Sequence, residues 1–578
     1  MNITNKFLPI IIFGILSFVI MLPLLAPGYI LTLDMITVPK VLWPSFTSPS
    51  FLIGLVNSLF NLIFPAYIFP KIILFLIFFL SGWGMYRLIP EKFGWARFFG
   101  GLLFSVNPFV YERVIAGHWY LLFGYALFPF TVSAVVGFYQ NPGKRTALVL
   151  ALLVSFLIGI VIHFSLIFFP FFIIFSAAYL LFHRQRLRAT AKYLSLFFFC
   201  FLIFNANWIV PMIIGNSEVS QAIEQFDSRD LITFQSYPDS RFGLIFNLLS
   251  GYGFWGEANK YYVSPKEIIF FWPVLSLVLL GLSLYGFTKS LLERDRNSYP
   301  FIMTMVVMFL LALDFAGGIG LKSFANTVFF LYEKYPFLRG LREPQKLVGI
   351  LMFIQAYLGS IGLYHLSHRV EQKGKYALVI IFFLLPFIYT PLIFGGFWGQ
   401  LKPANYPSSW SKINQLLNSD KDNFLVLSLP WHQYMPFKFS HNILIANPAA
   451  AFFDKPVLSS RNYETKYLFT HEDRAEALHV EGLLAIERKG INLLGEKVTE
   501  KLPWGESLAP IGVKYIILAK DDDWKDYGFI INSFDLEKTY EGEEMILYKN
   551  RKWSADFGSD TQADPEFVPE LEMAPIDN

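Results

Sequence analysis

Charge is scarce in this chain. Charged side chains are 16% of its 578 residues, where an ordinary soluble domain carries about 25%. The two signs nearly cancel, to a net +3, so nothing in the charge balance points to nucleic acid as a partner. The single cysteine, Cys200, sits inside an apolar run, which excludes an intrachain disulfide and a cysteine metal site. No glycine-rich phosphate loop, His-Glu-x-x-His pattern or serine-nucleophile elbow is present. A cytoplasmic nucleotide-driven enzyme therefore lacks its equipment, and no nucleotide cofactor is expected.

What the chain has instead is apolar length. Hydrophobic residues reach 54% and aromatics 18%, gathered into runs of about 18 to 25 residues, each able to cross a hydrocarbon layer of about 30 Å. Candidate spans fall at 7–30, 66–87, 96–110, 119–139, 145–160, 163–182, 192–214, 267–289, 299–316, 344–365 and 375–395. The first, without a small-residue cleavage site, reads as a retained signal anchor. Residues 44–63, broken by Pro49, Asn57, Ser58 and Asn61, read as a helix lying along the interface. The expected fold is an all-α polytopic membrane domain of about eleven transmembrane helices over 1–395.

Orientation follows from the basic turns. Arg87/Lys92/Arg97, Lys144/Arg145, Arg184 to Lys192, Lys289/Arg294/Arg296 and Arg369/Lys373/Lys375 fall on one side, which the positive-inside rule assigns to the cytoplasm. Lys40, Lys71 and Arg113 form a weaker set opposite. An odd number of spans then puts the N-terminus inside and the C-terminus outside. Beyond residue 395 the periodicity becomes that of a soluble domain. Strands are expected at 424–429, 513–518 and 545–548, and helices at 409–417 and 471–486. Residues 396–550 thus read as a small extracytoplasmic α/β domain, and 551–578 as an acidic disordered tail.

Four charged stretches fall at the outer edge of the spans. Asp34, the first acid in the chain, follows the first span, with Lys40 beyond. Asn107-Pro108 breaks the third span and leads into Glu112, Arg113 and His118. Asp227, Arg229 and Asp230 lie in the long 215–266 loop. Arg342, Glu343 and Lys346 flank Pro344 at the start of a span. Arginine grips phosphate bidentately and lysine adds a point charge. Arg342 and Lys346, four apart around a helix start, are placed to share one anion. Solvated loop acids and snorkelling cations are the bland alternatives for each residue taken singly. Asp521-Asp522-Asp523 reads as a solvated turn, and His163 as a lone turn histidine. Asp314, Asn205 and Asn207 suit either a cavity wall or helix–helix hydrogen bonds.

The stretch from Asn107-Pro108 through Arg113, Gly117-His118-Trp119 and Gly124-Tyr125 to Pro129 resembles the N-terminal region of arabinofuranosyltransferase-like proteins. So does Leu341-Arg342-Glu343-Pro344-Gln345-Lys346. With the layout of spans, outer loops and outer domain, the chain is similar to membrane glycosyltransferases of the GT-C class over about residues 7–395. The resemblance implies transfer of a sugar from a polyprenyl-phosphate donor to a glycan, lipid or protein acceptor on the outer face, with inversion. Asp34 matches the first-loop acid of that class and would be the catalytic base. By chemistry, Arg113, His118, Arg342 and Lys346 would hold the donor phosphate, and Glu112, Asp227 and Asp230 are secondary acidic candidates. Members of the class often carry paired acids, sometimes with a divalent metal. Met35, not a second acid, follows Asp34 here, so metal dependence stays open. Tyr237, Tyr252, Trp255, Tyr261 and Tyr262 suit either sugar stacking or an interfacial aromatic belt. The rival readings are a solute or lipid-linked-sugar transporter and a non-catalytic protein that binds envelope glycans.

Overall fold

Uncharged runs of Leu, Ile, Phe and Val leave the backbone one good solution in an apolar medium, the helix, which satisfies its own hydrogen bonds. The computed structural model describes residues 3–215, 217, 220, 223, 226–293, 298–465, 472–489 and 502–555. Arg294, Arg296, His471 and the tail from 556 lie outside these residues. The chain divides into two compact units, Met1–Ile30 with Lys40–Pro403, and Leu31–Pro39 with Ala404–Asn578.

In the first unit, nine helices among the described residues are long and apolar enough to cross a membrane, so the chain is a multi-pass membrane protein. The eleven expected spans include two that fall short. One is the helix Lys144–Ile160, of 17 residues. The other, 96–110, is split into α1 (Ala96–Ser105) and α2 (Pro108–Ile115). The longer helices that matter below are α3 (Trp119–Gln140), α4 (Ser165–Phe182), α5 (Trp272–Leu292), α6 (Tyr299–Gly317) and α7 (Val348–Ser367). Asn205 donates from Nδ2 to Ser155 Oγ at 2.7 Å and accepts from Trp208 Nε1 at 3.0 Å, so it serves helix packing.

The helix of the span Pro344–Ser367 is apolar all round, and 94% of its most apolar stretch is buried, against 17% for Leu187–Phe204. It is the central post, while the latter turns Phe199, Leu202 and Ile203 outward. Central placement requires close neighbours, and glycine provides the room. A Cβ on Gly286 of α5 would lie 1.9 Å from Leu358 O, and one on Gly362 of α7 would lie 2.1 Å from Leu282 O. The two backbones are in contact there.

The second unit carries strands β1 (Leu425–Leu429), β2 (Tyr434–Pro436), β3 (Leu444–Ala446), β4 (Val457–Leu458), β5 (Val513–Ala519), β6 (Leu536–Glu541) and β7 (Met545–Asn550). Its main sheet has the order β4-β1-β5-β7-β6, with β4, β1 and β5 parallel and β7 and β6 antiparallel. Trp431, Trp504, Ile516, Leu518, Tyr527 and Ile546 form its core with helix α8 (Ala475–Lys489). β2 and β3 make a separate hairpin, on which residues 31–39 lie: Ala446 N donates to Leu33 O at 2.8 Å, and Tyr406 Oη to Thr37 O at 3.1 Å.

Filling the α5–α7 contact is expected to separate these helices. Gly286→Val should destabilise the detergent-purified protein by about 1–3 kcal/mol or more, read as a lower thermal midpoint. Gly281→Ala, where a Cβ meets nothing within 4 Å, should leave the midpoint unchanged or raise it.

Candidate active site

Asn107 organises the break between α1 and α2. Its Nδ2 donates to Leu103 O and Phe104 O, at 2.9 and 3.0 Å, and its Oδ1 accepts from Val110 N at 3.1 Å. One side chain thus ends the first helix and caps the second, with Pro108 in the first turn where no N–H is needed. α2 is buried along its whole length. Gly117, at φ +83°, then turns the chain so that His118 stands at the start of α3.

The break places Arg113 among partners. Its Nη1 lies 2.9 Å from His118 Nδ1 and 3.7 Å from Glu343 Oε2, and the guanidinium covers the Phe254 ring at 4.3 Å. Lys346 Nζ is 3.2 Å from the same Glu343 oxygen, and Trp255 Nε1 donates to Glu343 Oε1 at 3.4 Å. Arg342 stacks on Phe226 at 3.7 Å and lies 3.9 Å from Asp230 Oδ1. His163 sits within electrostatic reach of Lys346, Glu343, Arg342 and His118. The four residues expected to hold phosphate, Arg113, His118, Arg342 and Lys346, are therefore neighbours in one cluster.

Sequence reasoning missed two members. Glu343 draws its importance from residues far away in the chain, and no local pattern shows that. His163 has no motif; its only signal was a tight polar turn between apolar runs. Burial alone would raise the Glu343 carboxyl. Lys346, His118 and Arg113 overcome that and hold it well below the usual carboxylate range.

Of the secondary acids, Asp230 reaches the basic cluster through Arg342. Glu112 accepts from Tyr262 Oη at 2.9 Å. Burial, reinforced by Glu257, pushes its carboxyl up to about 8. Asp227 caps the short helix Ser228–Thr233 and pairs with Arg229, while Asp230 Oδ2 accepts from Asp227 N at 2.8 Å. Tyr252 and Tyr262 are buried, which fits neither an open stacking face nor an aromatic belt. Asp34 belongs to the second unit, where it is exposed and accepts from Tyr434 Oη at 2.7 Å.

Beside the basic cluster lies an apolar cavity of about 500 Å³, lined by Leu166, Pro170, Met308, Phe315, Leu341 and Leu347 among others. Leu341 and Leu347 adjoin Arg342 and Lys346 in sequence. The cavity walls come from α4, α6 and the lead-in to α7.

No protein-family model and no curated protein matches this chain. Among solved structures it is similar to arabinofuranosyltransferase AftD from Mycobacteria, at TM-score 0.59 and 12% identity, over 95% of this chain and 40% of that one. Two structures of a mutant of that enzyme align at TM-scores of 0.57 and 0.56, with 13% and 12% identity. They cover 95% and 94% of this chain and 42% and 41% of theirs. The fold is therefore shared with a GT-C enzyme, and this chain spans about two-fifths of that enzyme's length.

Glu343→Ala strands Arg113 and Lys346 without their shared anion. It should lower stability by about 3–5 kcal/mol, measured by thermal or denaturant unfolding in detergent. Glu112 has the opposite sign. Its folded pKa is raised, so the folded state holds a proton that the unfolded state has released. Stability should fall as pH rises from about 5 to 8, by up to about 1.4 kcal/mol per pH unit. Glu112→Gln should remove that slope from a pH series of midpoints.

Proposed function

We propose that this protein is a membrane glycosyltransferase of the GT-C type that moves a sugar from a polyprenyl-phosphate donor to an acceptor hydroxyl on the extracytoplasmic face. The observation that carries the reading is the meeting of Arg113, His118, Arg342 and Lys346 in one partly exposed basic cluster beside an apolar cavity. A phosphate with a long hydrocarbon tail has those two chemistries. The likeness to AftD supports the reaction class. The acceptor would be a cell-envelope glycan, a glycolipid or a protein.

On this reading the Asp34 carboxylate takes the acceptor proton. The acceptor oxygen forms a bond to the anomeric carbon as the bond from that carbon to the phosphate oxygen breaks, which inverts the centre. The cations take up the charge that develops on the leaving polyprenyl phosphate. On this reading the N-terminus lies in the cytoplasm and the second unit outside, an orientation that the basic turns support.

Sugar transfer from extracted polyprenyl-phosphate donors tests both roles. Asp34→Asn should lower kcat by about 10²–10⁴-fold with donor affinity kept. Lys346→Gln should weaken donor binding. A fully active Asp34→Asn protein would remove the base assignment, and absence of transfer from every donor offered to folded wild type would overturn the reading.

A further inference from the structure

We propose that the second unit holds a divalent-cation site at the carboxyl edge of its sheet, built from His432, Asp522 and Asp523, with Glu464 orienting the histidine. Three loops supply it, and each follows one of the three parallel strands. His432 comes three residues after β1, Glu464 six after β4, and Asp522 and Asp523 just after β5. From β1 the chain moves outward to β4, then crosses back through β5 toward β7 and β6. The carboxyl ends of β1 and β5 thus flank the point where the connections diverge, the place where open α/β sheets bind ligands.

The side chains fit a cation. One ligand atom each from His432, Asp522 and Asp523 lies within 4.8 Å of the others, close enough for a single ion to gather them with small rotamer changes. His432 Nδ1 is 2.8 and 2.9 Å from the two oxygens of Glu464. A neutral imidazole that donates Nδ1–H to a carboxylate presents its Nε2 lone pair, the usual arrangement for a metal-bound histidine. That Nε2 is shut off from solvent and lies 3.2 Å from Asp523 Oδ2. Without an ion, a proton on Nε2 fills that gap; a divalent cation would take the proton's place between the ring and the facing carboxylate.

Neighbouring contacts hold the loops in position. Trp431 N donates to Tyr527 Oη at 2.8 Å, and Asp521 accepts from Lys438 N at 2.9 Å. The run Asp521-Asp522-Asp523 is therefore no simple solvated turn, because Asp521 is buried and serves the fold. One imidazole with carboxylates suits Mn²⁺ or Zn²⁺. The ion would cross-link the three loops and stabilise the folded unit by mass action.

Full-length protein in detergent, stripped with EDTA and desalted, is titrated with MnCl2 and separately with ZnCl2. Calorimetry and thermal midpoints are read, and Co²⁺ absorption reports the histidine ligand. Wild type should take up one equivalent of at least one of these ions with a raised midpoint. His432→Gln and Asp523→Asn should bind at least tenfold more weakly, and Glu464→Gln about 10–100-fold more weakly. If His432→Gln shows no cooperative unfolding, Asp522→Asn and Glu464→Gln decide by the same criteria. No uptake of either ion by wild type up to millimolar concentration overturns the site and leaves an imidazolium paired with carboxylates. Uptake unchanged in the folded variants overturns it as well.

Discussion

A buried carboxylate between two cations sets the terms for the first unit. Glu343 stands just before Pro344, at the foot of the central helix, and meets Arg113 and Lys346 through one oxygen. Without it, buried positive charges would repel one another in a poorly screening medium. With it, the broken backbone at Asn107-Pro108 is tied to the lead-in of α7. Removing one partner of such a set leaves an uncompensated charge, which is more damaging than never having built it. In the proposed reaction an incoming phosphate would find cations already gathered, and would share them with Glu343.

How legible this was depends on the range of each interaction. Apolar runs are local, so the spans and the class of fold could be read directly. Asn107-Pro108 is also local, since a cap and a missing N–H act within four residues. The split of 96–110 follows from that pair. The meeting of Arg113, His163 and Glu343 was not legible, because it joins segments separated by tens to hundreds of residues. The same holds for Asp34: its own stretch looks like a loop after a span, yet its backbone neighbours are β2 and β3, four hundred residues on.

In the second unit, β1, β5 and β7 were readable because both faces are buried and apolar residues dominate each strand. β6 (Leu-Glu-Lys-Thr-Tyr-Glu) was not. It is an edge strand, and charges on such a strand discourage pairing with another chain. β4 and the hairpin are only two or three residues per strand, too short for a period to show. The His432 cluster illustrates the same limit at a site, since its three loops converge only through sheet order.

The most direct test of the central claim is binding to purified, folded wild type of polyprenyl phosphate and of the corresponding polyprenol, compared at several salt concentrations. The account predicts clear preference for the phosphate, weakened by salt and lost when Arg342 and Lys346 are both replaced by glutamine. Equal binding of the two lipids, or a preference untouched by that double substitution, would contradict it.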